Sequence, residues 1–410
     1  MLGINIDTYK QYITMNNWTK LVQDRVKGVP VSGGRSSKFD RINFSDLVFV
    51  PGQLAKRPVD YFKETISTKT VVGQRSKKPV ELQTPILIAA MSFGALSREA
   101  KIALAKASSI AGTTANTGEG GMLPEERQEA KRLVIQYSTG RFGIDEEILK
   151  KADIIEIKIG QGAKGGQGGL LPKEKVTEEI AKVRRMPMGQ DIHSPAYHKD
   201  IETIVHLKEK VDWLREISGG CPIVIKMAAA DIDRDVRIAI AANPDVIALD
   251  GLGGGTAAAP VVMLEEMGIP TLPALVKARQ ILDELAAEQE LWIAGGFFDG
   301  GSVAKALALG ADAVFMGSAM MGALGCVGCN LCYLGKCPKG VATQDEALRK
   351  NLNVDAAAQN VANFIKNCTE EVKMMAGAVG HDDVHKLTKD DLRALTWEMS
   401  KISRVRFVGE

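Results

Sequence analysis

From residue 86 onward, short apolar runs alternate with longer segments of helical spacing. The runs are ILIAAM at 86, TTANTG at 113, IIEIKI at 154, IVIKMA at 223, VIALDG at 246, TLPAL at 271, LWIAGG at 291 and DAVFMG at 312. Brief apolar runs bounded by turn residues suit strands buried on both faces. Between several of them lie amphipathic segments such as SREAKIALAKASSIAG, PAYHKDIETIVHLKEKVDWLREI and SVAKALALG. Right-handed crossovers through such helices make every strand parallel. Eight strands over 86–322 predict an α/β fold, a (β/α)8 TIM barrel. A doubly wound open sheet has the same periodicity and is the alternative.

The flanks differ from this core. Residues 1–85 are polar and turn-rich, with a Gly/Ser/Arg stretch from Ser32 to Ser37, and are expected to form an irregular N-terminal extension packing on the barrel. Residues 323–345 form a cysteine-rich loop, and 346–410 are expected to add helices outside the barrel. One of these is expected after Thr388, an N-cap candidate ahead of KDDLRALTWEMSKI.

Composition narrows the function classes. Apolar residues make up 45% and charged residues 25%, which is globular usage and excludes disorder. The 52 basic and 50 acidic residues leave a charge of +2, too balanced for a nucleic-acid or membrane surface. The start, MLGINIDTYKQ, has no signal-peptide pattern and no long apolar run follows, so a soluble cytoplasmic protein is expected. Glycine is in excess, 41 of 410, which suggests tight turns around a phosphate-bearing ligand.

Ligands of such barrels sit at the C-terminal strand ends. There, Gly295, Gly296, Asp299, Gly300 and Gly301 open one helix, and Gly317 and Ser318 open the next. Backbone N–H groups at two helix starts make an anion nest, with ordinary barrel turns as the bland reading. The string Asp250-Gly-Leu-Gly-Gly-Gly-Thr256 has the same character. Lys226, inside an apolar strand, faces a large desolvation cost unless an anion or a polarised carbonyl receives it; snorkelling at a strand end is the alternative. Lys158, Gln161, Lys164 and Gln167, with Arg141 and Arg184 in nearby loops, form a set suited to a dicarboxylate, and Glu119 is the nearest candidate acid. Cys326, Cys329, Cys332 and Cys337 read C-x2-C-x2-C-x4-C-P, a compact run suited to an iron–sulfur cluster; zinc is the alternative.

The strings MSFGALS at 91–97, NTGEGG at 116–121, STGRFG at 138–143, IKIGQGAKGGQGG at 157–169 and GCVGCNLCYLGKCPKGVATQD at 325–345 together resemble the FMN-binding synthase domain of the glutamate synthase large subunit, in its short archaeal-like form, over about 40–385. The resemblance implies FMN, an iron–sulfur cluster, and reduction of 2-iminoglutarate, made from 2-oxoglutarate and ammonia, to L-glutamate. Carried onto this chain, the flavin positions are Met91, Ser92, Lys226, Gly254, Gly255, Gly295, Gly296, Gly317 and Ser318. The catalytic and oxo-acid positions are Glu119, Lys158, Gln161 and Arg184. The family's C-x5-C-x4-C pattern for a 3Fe-4S centre falls on Cys326, Cys332 and Cys337. Cys329 departs from it and makes 4Fe-4S the alternative. No cysteine precedes Cys221 and no nicotinamide fingerprint occurs. A separate glutaminase subunit, or the use of free ammonia, and a ferredoxin or NAD(P)H-oxidising partner are therefore expected, in an oligomer. An N-methylglutamate synthase subunit using methylamine is the neighbouring alternative; another FMN barrel oxidoreductase or an electron-transfer subunit are the further ones.

Overall fold

The computed structural model describes residues 42–255, 259–329 and 331–410, so the Ser32–Ser37 stretch and Thr256 lie outside the described residues. Eight parallel strands form one sheet: β1 (Ile86–Ile88), β2 (Ala115–Asn116), β3 (Leu133–Tyr137), β4 (Ile154–Lys158), β5 (Ile223–Ala228), β6 (Val246–Asp250), β7 (Glu290–Ala294) and β8 (Ala313–Met316). Their spatial order, β1-β8-β7-β6-β5-β4-β3-β2, leaves β1 and β2 as the two ends. The Thr113 hydroxyl donates to Ile86 O and ties those ends together. The expected (β/α)8 barrel is the observed fold.

Two strand expectations are corrected. TLPAL at 271 is not a strand; it begins the helix Thr271–Glu284, where Pro273 is accommodated because the first turn needs no N–H from it. The missing strand is β3, LVIQY, buried along its whole length. Its fourth residue, Gln136, masks the apolar run in sequence, and the Gln136 amide is satisfied inside the barrel by Glu156. IIEIKI is thus the fourth strand and VIALDG the sixth.

The barrel interior alternates along each strand. Leu87, Val134, Ile154, Val224, Val246, Ala248, Trp292, Ala313 and Phe315 fill its lower part. Outward-facing residues of the same strands pack under the helices. The N-terminal flank is less irregular than its sequence suggests. Thr70–Val72 and Val80–Leu82 pair as a hairpin whose Val72, Val80 and Leu82 join the interior cluster at the barrel's N-terminal end. Strands of three residues are too short to display a period.

The C-terminal flank includes α-helix Val354–Ala378, which packs against Arg98–Ala111 and Gly300–Ala308. The helix expected after Thr388 does not form there. Thr388 and Asp391 make a capping box around a single turn, and the chain then enters a strand, Leu392–Ala394, paired antiparallel with Leu47–Phe49. The following helix, Trp397–Ser403, is capped by Thr396 instead. No helix among the described residues is long and apolar enough to cross a membrane.

Candidate functional site

At the C-terminal end of the barrel, Lys158 closes β4 and Glu119 lies in the turn after β2. Their side chains meet: Lys158 Nζ is 2.8 Å from Glu119 Oε2, and both are largely buried. Ser194 Oγ donates to the same carboxylate oxygen at 3.2 Å. Burial disfavours the Glu119 charge, yet Lys158, Lys164 and Arg184 outweigh it and hold the carboxyl below its usual range. Burial pushes the Lys164 ammonium below its ordinary range, with Glu119 opposing and Lys158 adding to the shift.

Arg184, the last residue of the helix Glu178–Arg184, turns inward and is 4% exposed. One of its terminal nitrogens donates to Phe93 O at 2.7 Å, and its Nε has no partner. Burial lowers its pKa to about 10, with Glu119 opposing. Gln161 reaches across to Gly255 O at 3.5 Å. The four residues expected to act on substrate therefore share one end of the barrel.

Arg141 does not join them. It lies over the Tyr137 ring at 3.6 Å and is bound to Asp200 at 2.7 Å and to His198 Nδ1 at 2.6 Å. His198 in turn donates from Nε2 to Lys158 O at 2.8 Å, an assignment that follows because a carbonyl only accepts. Burial and the neighbouring Arg141 bring the His198 pKa down to about 4, so the ring is neutral at physiological pH. A lone histidine in a loop carries no sequence signal for this role.

In register with Lys158 on the adjacent strand, Lys226 points into the barrel and is 4% exposed, so snorkelling is ruled out for it. Burial opposes its charge, but Glu156 and Asp250 raise its pKa above the ordinary value. Its Nζ is 3.9 Å from Asp250 Oδ2 and 5.3 Å from the Phe315 ring centroid. Asp250 Oδ1 and Glu156 Oε2 are buried without partners. Glu156 was missed in the sequence because it reads as one polar residue inside a strand.

Some of the glycines serve close packing of the loops. A Cβ at Gly162 would run into Gly251 O, one at Gly168 into Ser194 O, and one at Gly255 would sit 2.6 Å from Gln161 Nε2. Gly162 lets the loops after β4 and β6 meet backbone against backbone, Gly168 lets the β4–β5 connection close on itself, and Gly255 makes room for the Gln161 side chain. The expected nest also changes. Glu371 accepts from Gly300 N at 2.6 Å and Asp299 caps Ser302 N, so carboxylates already occupy the helix start at Gly300. The start of Ser318–Ala323 has no side-chain cap, and Gly295 and Gly296 have φ of 119° and 85°. Of the two helix starts in the expected nest, the one at Ser318 is thus left without a side-chain cap. Met91 O is held by the buried Lys101, which also bonds Asn116 O and pairs with Glu126 at 2.8 Å.

Beyond Ser318–Ala323 lie the four cysteines. Burial raises the Cys332 thiol pKa, and Cys326, Cys337 and Cys329 raise it further, which puts all four within electrostatic reach. Among the described residues no group of three or more His, Cys, Asp or Glu side chains is gathered closely enough to hold a metal ion. Gly328 and Gly335, with φ of 66° and 69°, turn the chain between them, and Gly325, with φ of 107°, turns it just ahead of Cys326.

Comparison with known proteins agrees with this arrangement. A family model described as the conserved region in glutamate synthase matches residues 46–382. A glutamate synthase large subunit-like protein of Rhizobium meliloti is 39% identical over 396 residues, covering 92% of this chain and 90% of its own. An archaeal glutamate synthase [NADPH] of Methanocaldococcus jannaschii is 38% identical over 397 residues, covering 89% of this chain and 78% of its own. In fold, the chain is similar to a flavocytochrome b2 variant with sulfite bound, with TM-score 0.57, 16% identity and coverage of 88% of this chain and 80% of that one. A mandelate oxidase variant with an FMN adduct gives TM-score 0.54 at 17% identity, covering 87% and 91%. On the family match and the identity of these relatives, the chain belongs to the glutamate synthase family of oxidoreductases.

Proposed function

We propose that this chain is the FMN- and iron–sulfur-dependent synthase subunit of a glutamate synthase, forming L-glutamate from 2-oxoglutarate and ammonia. The observation that carries the reading is the Lys158–Glu119 pair at the barrel mouth with the buried Lys226 in register on the adjacent strand, in a chain of this family. The uncapped start of Ser318–Ala323, the open backbone at Gly295 and Gly296 and the buried cation of Lys226 fit a flavin phosphate and ring. Met91, Ser92, Gly254, Gly255, Gly295, Gly296, Gly317, Ser318 and Lys226 would hold FMN; Cys326, Cys329, Cys332 and Cys337, which stand apart in this structure, would hold the cluster once drawn together. When bound, FMN supplies a hydride equivalent and the cluster one-electron transfer.

The chain's own residues supply position and charge. Lys158 attracts a carboxylate of the dicarboxylate substrate, and its N–H donates to the carbonyl oxygen that leaves as water when ammonia adds at C2. Arg184 and Lys164 add positive potential around the same anion, and the Gln161 amide orients it. Glu119, ionised, accepts N–H from the incoming amine, with Ser194 fixing the carboxylate. Lys226 holds positive charge beneath the reacting centre. Net, the oxo acid and ammonia lose water to give 2-iminoglutarate, which gains a hydride and a proton. This role belongs in the cytoplasm, in an assembly with a glutaminase and a ferredoxin or NAD(P)H-oxidising partner; the [NADPH] in the relatives' names supports the latter source of electrons.

The test is anaerobic. Chemically reduced protein should reoxidise its flavin when both 2-oxoglutarate and ammonium are added and with neither alone. Lys158→Ala should slow this about 100-fold or more while flavin stays bound. Purified protein without flavin, or unchanged turnover in that variant, would remove the reading or Lys158 from it.

A further inference from the structure

The segment that leaves the four cysteines packs against the turn that follows β1. Ser97 N, at the end of that turn, donates to Val341 O at 2.9 Å. Gln344, 8% exposed, sends its amide nitrogen to two carbonyls of the turn, Gly94 O at 3.2 Å and Leu96 O at 3.0 Å. Carbonyl oxygens only accept, so these contacts settle which way the amide faces. Further along, Arg349 holds both carboxylate oxygens of Glu99, at 2.7 and 3.0 Å, and reaches Glu179 at 3.4 Å. Glu99 lies in the first turn of the helix Arg98–Ala111, and Glu179 in the first turn of the helix that ends at Arg184.

The turn after β1 also carries Arg184, because Phe93 O accepts from that guanidinium at 2.7 Å. There is little slack between them. A Cβ on Gly94 would come 3.1 Å from Arg184 Nη2, and one on Gly120 would come 2.5 Å from Phe93 O. Resting on the reading that Arg184 attracts the oxo acid, we propose that Gln344 is a positioning residue for 2-oxoglutarate: it fixes the turn at Gly94 and Leu96, and Phe93 O of the same turn aims the guanidinium. A guanidinium is planar, so holding one N–H sets the direction of the others, including the buried Nε that has no partner in the protein. Without the Gln344 amide, Leu96 O keeps its bond from Gly94 N, whereas Gly94 O loses its side-chain donor in a buried place. A stranded carbonyl of this kind costs free energy, so the turn shifts and Arg184 shifts with it.

Calorimetric titration of 2-oxoglutarate into the oxidised, flavin-loaded protein, with no amine present, reads this binding step apart from turnover. Gln344→Met keeps the length of the side chain and removes the donor; it should weaken 2-oxoglutarate about 10-fold while flavin stays bound. Arg184→Ala should weaken it at least as much, and Gln344→Met added to Arg184→Ala should cost little more, because both act through one guanidinium. An equal loss in the two backgrounds would make Gln344 merely structural and overturn the proposal. So would unchanged affinity in Gln344→Met. Gln344→Glu, which puts an oxygen in place of the donor at the same size, carries the same cycle should the Met variant fail to fold. Full affinity in Arg184→Ala would overturn the proposal and leave the glutamate synthase reading standing, whereas no binding of 2-oxoglutarate by the unaltered protein would overturn both.

Discussion

His198 serves the site without facing it. Its Nε2–H holds the carbonyl of Lys158, its Nδ1 accepts from Arg141, and its ring lies nearly parallel to Tyr137 at 6.0 Å. A neutral ring with the proton on Nε2 satisfies all three contacts, so nitrogen NMR at pH 7 should find that tautomer alone. His198→Gln keeps a donor for Lys158 O and should cost less stability than His198→Ala, whose loss is expected at about 2 kcal/mol by urea unfolding. The pH dependence has a definite sign. With a folded pKa near 4 against an ordinary 6.5, the unfolded chain takes up a proton in that window and the folded chain does not. His198 therefore removes stability as pH falls from 6.5 toward 4, and His198→Gln should flatten that limb of the curve. Sequence made Lys158 and Glu119 visible because charged residues at strand ends stand out, but nothing local marked the histidine behind them.

At the scale of elements, the turns after β1 and β2 are joined by one buried cation. Lys101, on the helix Arg98–Ala111, bonds Met91 O at 2.7 Å, Asn116 O at 2.7 Å and Glu126 at 2.8 Å, with both charged groups 1% exposed. Removing one member of such a pair strands the other charge in the interior. Lys101→Ala should cost about 3–5 kcal/mol in urea unfolding and loosen flavin binding through Met91. A joint replacement of Lys101 by Met and Glu126 by Leu should recover most of the stability but not the anchored turns. In the sequence this lysine is one charge in an amphipathic helix, and its burial depends on which helix face meets the barrel. The error at TLPAL has a similar cause: five residues hold too little periodicity to separate a strand from the first turn of a helix.

For the whole molecule, Glu290 couples the barrel to the hairpin beneath it. Gln74 N donates to Glu290 Oε1 at 3.0 Å, and burial drives the Glu290 pKa up to about 7, opposed by the backbone bonds and aided by Asp312. Between the ordinary value of 4.5 and 7 the folded state holds a proton that the unfolded state has lost, so stability falls as pH rises through that window, by roughly 3 kcal/mol in total. Glu290→Gln keeps the acceptor for Gln74 and cannot ionise; its Tm should exceed that of the unaltered protein at pH 8 and match it at pH 5. The sequence by itself determined the barrel class, the positions of seven of its strands and the residue types at its mouth, because strand burial and polar strand ends leave local traces. Only the tertiary structure decided that Arg141 pairs with Asp200 and His198, that carboxylates claim the helix start at Gly300, and that Glu156 faces Lys226 inside the barrel. Those outcomes depend on which distant residues share a few ångströms of low-dielectric space, and the strength of an ionic or hydrogen-bonded contact there is set by partners that no local window of sequence contains.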